Sequence, residues 1–140
     1  MQEKTMKCVM IIEDNLTIGV TANIAGIMGM SLGKFEPEIV GVNAMDGDGL
    51  IHKGLIQFPV PILKGSRENL KEIRQKIWEQ DFTDLEVIDF SNIAQECMTY
   101  NDYIEKLSKT GEKDLSYIGL AICGNKKKVN KLTGNLPLLK

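Results

Sequence analysis

Lys7-Cys8-Val9-Met10-Ile11-Ile12-Glu13-Asp14-Asn15-Leu16-Thr17-Ile18-Gly19 is the stretch that decides the fold class. Cys8 to Ile12 is a short, continuous apolar run that Glu13-Asp14-Asn15 stops. Such a run reads as a strand buried on both faces, the kind found in sheets covered by helices. The chain then changes period. Ile18, Ala22, Ala25 and Met28 recur at helical spacing, which predicts a helix over Thr17–Leu32. Gly19, Gly26 and Gly29 lower its intrinsic propensity by about 1 kcal/mol each, so the helix is expected to lie close against its sheet. Gly33 suits the left-handed position that ends a helix.

The rest of the chain repeats this alternation. Glu38 to Ile56 reads as a hairpin, with strand-like runs Ile39–Val42 and Leu50–Ile56 on either side of Asp46-Gly47-Asp48-Gly49, a turn signal. In Phe58-Pro59-Val60-Pro61-Ile62-Leu63 the two prolines lack amide donors, which predicts an edge strand or an extended lead-in. Ser66 caps a helix whose apolar stripe is Leu70, Ile73, Ile77 and Trp78. Leu85–Asp89 is a strand. Thr99-x-x-Asp102 opens a helix carrying Tyr103, Ile104 and Leu107 and ended by Lys109-Thr110-Gly111. Tyr117–Cys123 is the last strand. A basic helix, Lys126 to Thr133, follows it, and the tail Leu136–Leu139 is expected to dock on the body. Strands alternating with helices give an α/β class with a mixed or parallel sheet and helices on both faces. No linker or internal repeat interrupts residues 1–140, so one domain is expected.

Composition narrows the function classes. With 140 residues, 43% apolar and 26% charged, the chain can bury a core without staples. A net charge of −2 and a pI near 5.5 provide no global attraction to nucleic acid or to an anionic membrane. The polar, mixed-charge start Met1–Lys7 does not read as a secretory signal, and no apolar run approaches the roughly 20 residues of a membrane helix. Cys8, Cys97 and Cys123 form no disulfide framework or metal knuckle. Cys8 and Cys123 read as reduced core residues, giving a cytoplasmic expectation.

Two family resemblances rest on motifs spread along the chain. Val129-Asn130-Lys131-Leu132-Thr133-Gly134-Asn135-Leu136-Pro137-Leu138-Leu139 is similar to the ending of peptidyl-tRNA hydrolase II, whose short helix reads roughly I-D-K-V-T-G-H-L before an apolar tail. Lys7-Cys8-Val9 through Asn15-Leu16-Thr17-Ile18-Gly19 is similar to that family's lysine-apolar strand and D-L-x-M-G turn. From about Met6 to Lys140 the chain more closely resembles the domain-of-unknown-function family numbered two thousand. The shared features are Leu16-Thr17-Ile18-Gly19-Val20-Thr21-Ala22-Asn23, Phe58 to Leu63, the Tyr100 and Tyr103 helix, and the ending. The resemblance implies a three-layer α/β/α fold on a mixed sheet of about four strands, with the hairpin as an addition. Hydrolase chemistry does not carry over with it. The hydrolase G-K-x-A-A-Q helix has a catalytic lysine, whereas Gly19-Val20-Thr21-Ala22-Asn23-Ile24-Ala25-Gly26 has neither lysine nor glutamine. Of the hydrolase loop D-A-G-x-T-Q, only Asp89 matches well in Asp89-Phe90-Ser91-Asn92-Ile93-Ala94-Gln95.

Site candidates follow from the strand ends, where open α/β sheets hold ligands. These ends are Asp14-Asn15, Asp89 to Asn92, and Gly124-Asn125. Asp14, Asn15 and Gly19 border a helix start that could hold an anion, or Asn15 or Thr17 simply caps that helix. Asn23 is a polar residue in an apolar helix, either a buried hydrogen-bonding group or a pocket residue. Asp89 is the candidate general base and Ser91 and Asn92 candidate ligand groups, with a turn carboxylate capping Ser91 to Gln95 as the plainer reading. Tyr100 and Tyr103 read as helix packing and His52 as a cross-strand residue. Lys126, Lys127, Lys128 and Lys131 read as a solvated helix face rather than a phosphate site. No metal set, Walker motif or dinucleotide motif is present, so no metal or cofactor is expected. The leading functional expectation is a protein that binds a small molecule or nucleotide derivative. A non-catalytic homo-oligomeric interaction domain, such as a homodimer, comes next, and a residual peptidyl-tRNA hydrolase acting on tRNA last.

Overall fold

The computed structural model describes residues 5–80, 82 and 84–140, so most of the polar start read at Met1–Lys7 lies outside the described residues. Its main sheet has four strands in the order β4 (Ile62–Gly65), β1 (Met6–Glu13), β6 (Tyr117–Asn125) and β5 (Glu86–Ser91). β4 runs parallel to β1, whereas β6 is antiparallel to both β1 and β5, so the sheet is mixed. β1 and β6 are central and buried on both faces, which is why each reads as an unbroken apolar run.

Period two along β1 divides the core. Val9 and Ile11 meet Leu70, Ile73 and Ile77 of α2 (Arg67–Glu79) and Val129 and Leu132 of α5 (Lys126–Thr133). Met10 and Ile12 point the other way, onto Ile24 and Met28 of α1 (Ile18–Phe35). α1 lies close to β6 because position 119 has no side chain. A Cβ on Gly119 would come within 2.9 Å of Ile24 Cγ2 and 3.0 Å of Met28 Cε. Beyond β5 come α3 (Asn92–Glu96) and α4 (Tyr100–Ser108), and a small ribbon of β2 (Ala44–Met45) and β3 (Ile51–His52) forms the expected hairpin. The tail also docks. Lys64 donates to the Pro137 carbonyl and Leu139 to that of Ile62, covering the outer edge of β4.

Several expectations are corrected. α1 does not stop at Gly33 but runs to Phe35, and Glu36 closes it by donating to the Leu32 carbonyl. The terminator is Pro37, whose ring disfavours helical backbone at the residue before it. Trp78 does not belong to the buried stripe of α2 and is 56% exposed. Arg74 takes the buried position and lies 3.9 Å from the indole centroid. Cys8 and Cys123 are not separate thiols. They are register partners on β1 and β6, with Cα atoms 4.1 Å apart, and the structure joins them as a disulfide. The hairpin strands are shorter than expected, since Pro37–Ile39 forms a 3-10 turn and only the Val40–Ile56 bridge continues the ladder. Among the described residues no helix is long and apolar enough to cross a membrane.

Candidate functional site

Gly19, Asn23, Ile27, Ser31 and Phe35 are spaced four apart, and that spacing places them on one ridge of α1. The ridge faces the edge strand β5 and the α3–α4 segment across a groove. One compartment, about 440 Å³, has Ile27, Ser31 and Phe35 on one wall, Asp89 and Phe90 at its base, and Tyr100 and Tyr103 opposite. A second, also about 440 Å³, is lined by Gly19, Asn23, Ile24 and Gln95. They share Ile27, Phe90, Ala94 and Cys97, so they adjoin along α1 and make up the two halves of a trough. Each lies within the size range of small-molecule sites.

Local sequence sets the far wall. Ser91 Oγ accepts from the Ala94 amide and starts α3 directly after β5. Thr99 Oγ1 accepts from the Asp102 amide and starts α4, so Tyr100 and Tyr103 fall on one face with ring centroids 5.6 Å apart. Lys106 Nζ donates to Glu96 Oε1 at 2.6 Å, bracing α4 against α3, and that carboxylate holds the Lys106 ammonium above its ordinary range. α4 buries no residue fully, so its inner face is available to the groove. Burial raises the Tyr103 hydroxyl, with Asp89 and Tyr100 adding to the effect, and keeps it a neutral donor. Cys97, the one free cysteine among the described residues, is half-buried and lines both compartments.

The residues proposed from the sequence are dispersed. Gly19, Asn23 and Asp89 line the groove. Asp89, however, accepts from buried Arg74, Nε at 3.0 Å and the Nη2 atom at 2.9 Å, so its charge is neutralised in place. Ser91 caps α3 itself, a role expected of Asp89, and Asn92 Oδ1 accepts from the Ser116 amide. Asp14 donates through its amide to the Gly65 carbonyl, Asn15 sits at φ 62° in the turn after β1, and Thr17 caps α1. Neither Asp14 nor Asn15 lines the trough. Gly124-Asn125 cannot join the other strand ends, because β6 is antiparallel to β1 and ends beside Met6, at the opposite edge. His52 pairs with Asp46 in the hairpin, Nε2 to Oδ2 2.7 Å. No lysine, arginine or histidine lines either compartment, and no group of three metal-ligating side chains exists among the described residues. Sequence reasoning missed Ile27, Ser31, Phe35, Gln95 and Cys97. The four-residue spacing running on from Gly19 and Asn23 was the available signal.

Comparison with known proteins adds a family and a fold. The sequence model of a family described as "Protein of unknown function (DUF2000)" matches residues 6–140. No curated protein matches the chain. A solved structure of a protein of unknown function from Agrobacterium tumefaciens strain C58 is similar at 20% identity and a TM-score of 0.86, covering 97% of this chain and 98% of that one.

Proposed function

We propose that this chain, which belongs to the DUF2000 family, binds a small, uncharged, mostly apolar molecule with a flat ring in the trough between α1 and α4. The observation that carries the reading is the lining: an aliphatic wall from Ile24, Ile27 and Met28, the Phe90 ring and a tyrosine pair, with Asp89 at the base already paired with Arg74 and the remaining polar groups at the margins. That is the usual make-up of small-molecule sites, apolar surface for affinity and sparse polar groups for orientation. Asn23 and Gln95 mark one end and Ser31 the other, so a ligand with a hydrogen-bonding group at each end fits. A nucleotide's phosphates would meet no cation there, which favours the plain small molecule over the nucleotide derivative.

Residual peptidyl-tRNA hydrolysis has less support, although the mixed sheet suits descent from the peptidyl-tRNA hydrolase II fold. Asp89, the candidate base, is paired with Arg74. The basic helix α5 packs with Val9 and Ile11, on the sheet face opposite α1, so its lysines do not extend the trough.

The test uses N-phenyl-1-naphthylamine, an uncharged apolar fluorophore, titrated into the purified chain. Saturable micromolar enhancement is expected, weakened roughly tenfold or more by Ile27→Glu, which sets a charge in the shared middle of the trough. Equal enhancement in wild type and Ile27→Glu would remove the trough as the site.

A further inference from the structure

The excursion between β5 and β6 is closed at its base and loose at its tip. At the base, Asn92 donates its amide to the Ser116 carbonyl at 2.9 Å, and its Oδ1 accepts from the Ser116 amide at 3.1 Å, so residues 92 and 116 hold each other. Ile93, next in the chain, is buried. Lys71 donates to the Glu112 and Leu115 carbonyls, and the Tyr117 hydroxyl donates to the Glu112 carboxylate. Nothing comparable holds α4. None of its residues is fully buried, and only Tyr103 and Leu107 are half-buried. Among the described residues its one side-chain bond to another element is Lys106 to Glu96, an ion pair half exposed on both partners. An exposed pair of that kind holds little. Irregular chain flanks the helix at residues 97–99 and 109–111, and a Cβ at Gly111 would meet nothing.

The rims of the trough are the second observation. Met98 and Tyr100 line its first compartment and are nevertheless 97% and 73% exposed. On the α1 wall of the same compartment Phe35 is 55% exposed and Ile27 42%. Large apolar groups thus stand on both sides of an open mouth with water against all four. We propose that residues 98–108, with α4 as their body, form a lid hinged at Cys97 and at residues 109–111, which brings Met98 and Tyr100 down on an apolar occupant of the trough. The inference rests on the ligand reading above. Closing over an empty trough gains little, because the rim side chains would meet water inside the compartment. With an apolar molecule in place they cover it and are themselves covered, so the ligand interacts more strongly with the closed state and draws the equilibrium toward it. Hinges of this kind need only a few residues at the ends of an element, and the fixed base at residues 92 and 116 leaves β5 and α3 where they are.

Methyl NMR of the full chain with isotopically labelled methionine tests this, with an uncharged, soluble paramagnetic chelate to report solvent access. N-phenyl-1-naphthylamine is the occupant, and its fluorescence in the same preparation reports binding. Broadening of the Met98 methyl by the chelate should fall about threefold or more at saturation, while that of exposed Met45 in the hairpin should not change. Met98 left equally accessible while the fluorophore is bound would overturn the lid and leave the ligand reading standing. Hydrogen exchange of the free chain is a second measurement that needs no ligand. Amides of residues 103–108 should exchange roughly a hundredfold or more faster than those of residues 118–122 in β6, through local opening of α4 alone. Amides in α4 as slow as those of β6 would overturn the lid whether or not the fluorophore binds. Absence of any fluorescence enhancement would count against the ligand reading, and the exchange of α4 would then decide the lid by itself.

Discussion

On the α2 side of the sheet, long charged side chains end on partners. Arg74 meets Asp89, Arg67 meets Glu13, and Lys71 donates to Glu112 and to the Leu115 carbonyl. Tyr117 is buried beside them and donates to Glu112 Oε2 at 2.6 Å; burial first, and that bond second, push its ionisation well above the ordinary tyrosine range. The α1 side is different. α1 is rich in glycine and alanine, has no ion pair in its trough wall, and leaves Ile18 and Met30 facing solvent. One side is held by paired charge around a buried core, with a cleft of about 240 Å³ beside Arg74, Trp78 and Phe82, and the other is left open by small residues. The trough along α1 is the larger of these two spaces.

The largest expected effect bears on the sheet that lies between the two sides. The Cys8–Cys123 link joins β1 to β6 across a sequence separation of 115. Closing a loop of that length is expected to stabilise by about 4 kcal/mol or more in the chain-entropy account. Urea unfolding with and without a phosphine reductant should show that difference. Thiol titration of the unreduced, unfolded chain should find one group, Cys97. Three thiols would show that the strands hold together without the bond.

Next in size is a direct contrast of the sides. Leu70 is completely buried against the α2-side core, and Leu70→Ala should cost about 3 kcal/mol. Ile27, on the trough wall and partly exposed, should lose under about 1 kcal/mol on Ile27→Ala. Equal costs from denaturant midpoints would mean that the trough is packed like the core and is no open site.

The smallest effect lies where α1 ends. Glu36 is pushed up to about 7 by a hydrogen bond with Glu38, then by burial, then by repulsion from Glu38 and Glu86. Its folded-state affinity for a proton exceeds the unfolded value of 4.5, so its contribution is complete below about 4.5 and is lost as pH rises through about 7. The carboxyl is half-buried and still partly screened by water, so the fall in Tm between pH 5 and 7.5 should be only about one or two degrees. Glu36→Gln should flatten it, and a profile unchanged by that variant would put the slope elsewhere.

Much of the α2 side was legible in the sequence. Continuous apolar runs marked β1 and β6, and Ser66 with Asn69 forms a full capping box at α2. Even there, Arg74 and Trp78 exchanged places, because the buried guanidinium depends on Asp89 from a strand that sequence spacing does not bring near. The disulfide was invisible for the same reason, since only the β1–β6 register sets Cys8 beside Cys123. The trough was half legible. Gly19, Asn23 and Asp89 stood out as chemistry-bearing types in unusual settings, but Ile27 and Phe90 look like ordinary core residues until α3 and α4 are seen to stand off from α1.

The most direct test is an amide chemical-shift map of the isotopically labelled chain titrated with N-phenyl-1-naphthylamine. The account predicts saturable shifts at Gly19, Asn23, Ile27, Ala94, Cys97 and Tyr103, with β4, α2 and the 40–56 hairpin unmoved. Shifts confined to the hairpin, or scattered over the α2 side, would contradict it.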